Sequence, residues 1–256
     1  MKKFKAVLTT TAVLIISLIS GCKDHVPESN TPPYYKLHGI VNDGKTVNEI
    51  TLFNDRNNNL PELRFPPEIF VDVDTAGAHD SNPTLIRKGF ANSAGIALAF
   101  NSKNKLEPLK NKHDDFVSLN FSASLGPENV QATEARLREI ASSSIRTTTM
   151  TDWGLREYVT LAPKTDMLSQ FDYVPLDDSI RSADGVRIWV GCLGGGDRSV
   201  LGSPAERTAA YACAGHFDIQ GGLSVTFIFK SELLPHWREI YNEANRIAKT
   251  AIVSNS

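Results

Sequence analysis

The sequence lacks the common signatures of catalysis. No His-Glu-x-x-His occurs, so the usual helical zinc-protease pair is missing. No Gly-x-Ser-x-Gly elbow is present, and Ser-x-x-Lys does not come with its usual companions. The run Gly194-Gly195-Gly196-Asp197-Arg198 is not followed by Lys-Ser/Thr, so it is no phosphate loop. It reads instead as a flexible connection between two strands that can present Asp197 and Arg198 to a partner. Neither sign of charge predominates: 27 Lys plus Arg stand against 29 Asp plus Glu. No basic stripe with interleaved aromatics appears, which argues against a nucleic-acid surface. Internal repeats and long low-complexity runs are also absent.

Metal and cofactor sites are equally thin. Asp55-Arg56-Asn57-Asn58-Asn59 alternates side-chain oxygens as calcium loops do, but Leu60 stands where such loops need Gly. Asp72-Val73-Asp74 with His79 and Asp80 offers ligands close together. Ala76 occupies its fifth position, and Pro83 stands where a bidentate Glu belongs. Both stretches read as solvated turns, and no resident metal or cofactor is expected. The six histidines do not converge in sequence. A hydrolase would need His216 or His236 to meet a carboxylate and a nucleophile in one cleft.

What is present begins at residue 1. Lys2, Lys3 and Lys5 form a cationic head, and Ala6 to Ile19 runs mostly apolar. That run is shorter than the roughly 20 apolar residues a spanning helix needs, and fits an export signal over 1–21. Ile19-Ser20-Gly21-Cys22 closes it with a branched apolar residue, two small residues and a cysteine. This resembles the lipobox of bacterial lipoproteins. The resemblance implies that Cys22 becomes the lipid-carrying N-terminus of a periplasmic protein. Lys23 follows, where an inner-membrane retention signal would be Asp, so the implied address is the outer membrane. Residues 22–33 then form a lipidated tether; KDHVPESNTPP carries three prolines and little apolar content. Fully extended, it reaches roughly 35 Å. Removing the three signal lysines leaves 24 basic against 29 acidic residues, a mature net charge of −5.

Cysteine is sparse, at three residues. If lipidation consumes Cys22, Cys192 and Cys213 remain as an even pair in an oxidising compartment. Each lies in a strand-like run, VRIWVGC and AAYACAGHF. A disulfide between neighbouring strands would remove about 3 kcal/mol of unfolded-state freedom. The spacing is far from Cys-x-x-Cys and no histidine cluster accompanies it, which disfavours a metal or redox pair.

Strands are expected over Tyr34–Val41, Glu49–Asn54, Ile69–Asp74, Thr84–Phe90, Gly95–Phe100 and Phe116–Leu125. Further strands are expected at Leu155–Leu161, 186–192, 209–217 and 223–229, with Gly221-Gly222 as a hairpin turn. Asn101–Asp115 reads as an exposed Lys-rich loop, and the stretch after Leu161 as a loop rich in Asp and Pro. Helices are expected over Glu128–Ser144, with Glu134 inside its apolar stripe, and over Leu233–Ala251. Consecutive strands with short connections and two main amphipathic helices define an α+β class with antiparallel sheets. The chain divides loosely into a mainly β region at 34–115 and an α+β region at 116–256. These form two small lobes or one continuous domain.

The mature chain resembles, in layout, the envelope lipoprotein immunity proteins that neutralise type VI secretion effectors, particularly those paired with phospholipase effectors. The shared features are the Leu63-Arg64-Phe65-Pro66-Pro67 segment, the Lys-rich loop, the Cys-bearing strand pair and the terminal Trp-containing helix. The resemblance implies a non-enzymatic binding protein whose partner is a secreted toxin enzyme. Candidate contact residues are Arg56, Asp72, Asp74, Tyr173, Asp197 and Arg198, placed in expected loops or their margins. The alternative is an outer-membrane lipoprotein with an envelope-assembly or adhesion role.

Overall fold

The computed structural model describes residues 31–54, 60–74, 83–110, 115–124, 130–161, 169–193, 212–219 and 222–253. The export signal, Cys22 and most of the tether lie outside these residues, as do Arg56, Asp197 and Arg198. The described residues form the expected α+β architecture: one long antiparallel sheet, a small two-stranded sheet and four α-helices.

The long sheet is mostly a meander. Strands β7 (Arg146–Met150), β8 (Leu155–Leu161), β9 (Ser169–Pro175), β10 (Val190–Leu193), β11 (Ala212–Ile219) and β12 (Leu223–Lys230) follow one another across it. Beyond β12 come β6 (Phe116–Ala123) and β4 (Ser93–Phe100), and then two short strands end to end: β3 (Val71–Asp74) and β5 (Leu106–Pro108). Every ladder is antiparallel. The β4–β6 ladder carries the sheet across residue 115, and one apolar cluster draws residues from both sides of that point. The small sheet pairs β1 (Asn48–Thr51) with β2 (Glu62–Phe65), which holds the Leu63-Arg64-Phe65 segment.

Alternation assigns the faces. Val117, Leu119 and Phe121 of β6, Val225, Phe227 and Phe229 of β12, and Cys213 and Phe217 of β11 all point to one side and are buried. Over them lies α4 (Trp237–Ala251), whose Trp237, Ile240, Tyr241, Ala244, Ala248 and Ala251 form the apolar stripe expected from their spacing. Full burial of each large side chain contributes about 1.5–3 kcal/mol. Trp237 satisfies its indole N–H on the Trp153 carbonyl at 2.8 Å. Glu243, buried on the same helix, is held by Arg246 at 2.9 Å and Lys105 at 2.8 Å. Cys192 and Cys213 are direct cross-strand partners on this face and are disulfide-bonded, with Cα atoms 4.1 Å apart.

α3 (Val130–Ser143) packs on the opposite side of the sheet. Leu137 and Ile140 meet Val174 of β9, flanked by Tyr158 and Trp189. Glu134, the acid within its stripe, lies 3.0 Å from Arg187 and 3.8 Å from Arg181, which explains its half-buried place.

Two expected strands are helices. Residues 34–41 begin in α1 (Pro32–Leu37), where the prolines at its first two positions fit a helix start. Residues 84–90 fall largely in α2 (Pro83–Arg87). Both helices end at a left-handed glycine, Gly39 at φ +78° and Gly89 at φ +88°. A Cβ there would lie 2.2 Å from the Glu49 carbonyl oxygen or 2.5 Å from that of Leu37, so only glycine permits these close approaches. Beside them, His38 Nδ1 lies 3.0 Å from the Gly89 carbonyl. β5 interrupts the expected exposed loop at 101–115, and β9 lies within the stretch after Leu161 that was expected as loop.

Candidate functional site

The second side of the sheet is only partly covered. α3 roofs β8 and β9, whereas β11, β12, β6 and β4 carry no helix on this side among the described residues. The ladder registers arrange the residues of this side in rows. One row runs Asp218, Ser224, Ser122 and Ser93, reaching Asp74 of β3. The next runs His216, Thr226, Asn120 and Gly95, reaching Asp72. A third runs Asp172, Gly191, Ala214, Ile228, Ser118 and Ala97. His216, Asn120, Ala214 and Ala97 are exposed. Most side chains standing on this paired backbone floor are small or polar.

At one end of the floor a polar cluster is locked together. Asp218 is buried and accepts hydrogen bonds from the Ser224 hydroxyl and, at 3.4 Å, from the Ser124 hydroxyl. His216 Nε2 lies 3.6 Å from Asp218, and its Nδ1 lies 3.3 Å from the Thr226 hydroxyl. Burial pushes the Asp218 carboxyl up. Hydrogen bonds from His216 and Ser224, the imidazole charge and Ser124 outweigh it and hold the group below the usual carboxylate range. A histidine, a carboxylate and hydroxyls meet here: His216 stands between the Thr226 hydroxyl and Asp218, and buried Ser224 donates to Asp218. His236 instead rests against Phe100, with ring centroids 5.4 Å apart.

Beside α3, on the same side of the sheet, lies a recess of about 200 Å³ bordered by Arg156, Tyr158, Val174, Leu176, Asp178 and Arg187. Arg187 is braced by Glu134 and by Asp178, each at 3.0 Å. Arginine, tyrosine and a recess together are the usual ingredients of an interface anchor.

Of the sequence candidates, Asp72 reaches this floor at its β3 edge, where its Oδ1 accepts a 2.7 Å hydrogen bond from Tyr35. Asp74 occupies the neighbouring register position opposite Ser93. Arg56, Asp197 and Arg198 fall outside the described residues. Tyr173 is a correction: it sits in β9, not in a loop, and is completely buried on the core side. Its hydroxyl donates at 3.0 Å to Glu157, itself fully buried and 3.3 Å from Arg146. Tyr173 thus joins β9 to β8 and β7 and presents no contact surface. Sequence reasoning weighed His216 only as a catalytic candidate and missed Asn120 and Thr226, although the alternation in FVSLNFSASL and LSVTFIFK already separates the face of these two from the core.

Among the described residues no group of three or more metal-ligating side chains gathers, and no helix is long and apolar enough to cross a membrane.

The fold and this face define an α+β antiparallel-sheet protein with one side built as core and the other only partly covered among the described residues. No protein-family model matches the sequence, and no curated protein is similar to it. Among solved structures it is similar to Smlt3025, an immunity protein of the Stenotrophomonas maltophilia type IV secretion system. The two share 14% sequence identity and a TM-score of 0.47 over 80% of this chain and 93% of that one.

Proposed function

We propose that this chain is a lipid-anchored periplasmic protein that binds and neutralises a secreted, envelope-targeting toxin enzyme. The observation that carries the reading is the face on β11, β12, β6 and β4, uncovered among the described residues, with the arginine-lined recess on the same side of the sheet. A sheet whose opposite side is fully packed presents such a face with little conformational freedom left to lose, which favours tight association. Exposed small residues let a partner approach the floor closely, and Arg156, Tyr158 and Arg187 supply anchors at its margin. A lipid on Cys22 would hold this surface where an incoming envelope toxin arrives, raising its effective concentration.

The test begins with capture of a secreted enzyme on the tagged mature chain and assay of that enzyme with and without it. Ala214→Arg and Asn120→Arg each set an unpaired charge on the exposed floor. Each is expected to weaken the complex at least about 100-fold, from the cost of burying an unpaired charge at an interface. Unfolding midpoints should stay unchanged, and cells carrying either variant should lose protection. Capture of envelope-assembly proteins alone, or full inhibition by both variants, would overturn the proposal.

A further inference from the structure

We propose that β7 pairs antiparallel with β7 of a second copy of this chain, joining two long sheets about a two-fold axis at Thr148. The two ends of the sheet differ in a way that points there. An unpaired edge is a template for another strand, and proteins guard edges with short strands, charges and proline. One end of this sheet is guarded in each of those ways. β3 has four residues and carries Asp72 and Asp74, and β5 has three and carries Glu107 and Pro108. The other end is β7, Arg-Thr-Thr-Thr-Met, with no proline, bulge or acid. Among the described residues it has a ladder neighbour on one side only, β8. Its one charge, Arg146, is turned to the core side and bound to Glu157.

The occupant follows from symmetry. A two-fold interface must be self-complementary, and β7 is nearly palindromic. With the axis at Thr148, all five residues pair: Thr148 with its own copy, Thr147 with Thr149, and Arg146 with Met150. No like charges meet, and threonine pairs are favourable across antiparallel strands. Thr147 and Thr149 share the exposed face, and Ile145 beside them is 55% exposed, an apolar residue that the second strand would cover.

The experiment uses the full-length chain in its own cells, with cysteine as a probe of the axis. T148C places two thiols directly opposite each other, the relation that already supports the Cys192–Cys213 bond within this sheet. T147C faces Thr149 instead, so its two thiols stand a further step apart along the strand. On non-reducing gels, T148C should give at least about tenfold more covalent dimer than T147C, against the wild-type chain as baseline. Adding T147K and T149K to T148C sets like charges opposite each other and should abolish the dimer. Adding T147K and T149E instead sets opposite charges face to face and should restore it. Equal crosslinking of T148C and T147C, or equal behaviour of the two charge pairs, would overturn the pairing. Neither result depends on any toxin, so this inference and the proposed function fail separately.

Discussion

Glu157→Ala should lower the unfolding free energy by about 3–5 kcal/mol, the usual cost of removing one partner from a buried charged pair. Glu157 is fully buried on the core side of β8, where an unpaired carboxylate would be strongly disfavoured. It is tolerated because the Tyr173 hydroxyl donates to one oxygen at 3.0 Å and the Arg146 guanidinium lies 3.3 Å from the other. Removing Glu157 leaves a tyrosine hydroxyl in the core and a guanidinium whose side chain is only 23% exposed without its counter-charge. Tyr173→Phe removes only the hydrogen bond to the carboxylate and should cost about 1.5–3 kcal/mol. The double variant should cost clearly less than the sum of the two, because both act on one contact. Chemical denaturation of the four proteins measures all these terms. A loss below about 1 kcal/mol for Glu157→Ala would show that the triad does not hold β7, β8 and β9 in register.

That triad also shows where sequence reasoning stops. β6, β12 and α4 were legible because each buries one face and exposes or half-exposes the other, so apolar residues recur at period two or at the helical period. β9 hides the same information. Phe171 and Tyr173 point into the core while Asp172 and Val174 point under α3, so five consecutive residues from Phe171 to Pro175 are buried and no alternation survives. Its aspartate and proline then suggest a loop, and Tyr173 becomes a surface candidate when it is a core residue. α1 and α2 were missed for another reason. Each is about one and a half turns long, too short for periodicity to register, and tertiary contacts at Gly39 and Gly89 fix them rather than local propensity. The Cys192–Cys213 pair was recoverable by counting once the lipobox resemblance sets Cys22 aside, because two remaining cysteines allow one pairing. The open face was legible strand by strand, in the small residues between the core positions. Its assembly was not, because the order β4-β6-β12-β11 sets distant segments side by side.

Asp172→Asn is expected to act in the opposite direction and to make the protein more stable. The Asp172 carboxyl is almost fully buried between β9 and the region roofed by α3. Gln170 donates to Oδ1 at 2.9 Å, while Oδ2 has no hydrogen-bond partner among the described residues. Burial pushes its pKa up from 3.8 to about 6, opposed only in part by the Gln170 hydrogen bond and the charge of Arg136. The sign follows from proton binding. Between the unfolded value near 3.8 and the folded value near 6, the folded state holds the proton that the unfolded state has released. This group's contribution therefore favours folding below pH 3.8 and is lost as pH rises through 6. The loss amounts to about 3 kcal/mol. Asparagine keeps the acceptor that Gln170 uses and cannot ionise. The variant should exceed the parent by up to about 3 kcal/mol above pH 7, or roughly 6–12 °C in Tm for a domain of this size. The gap should close towards pH 4. Paired thermal melts from pH 4 to pH 8 decide it, because the difference between the two proteins cancels every other titrating group. A gap that stays constant with pH would mean that Asp172 does not titrate in this window, and a destabilised variant would mean that Oδ2 has a partner in solution.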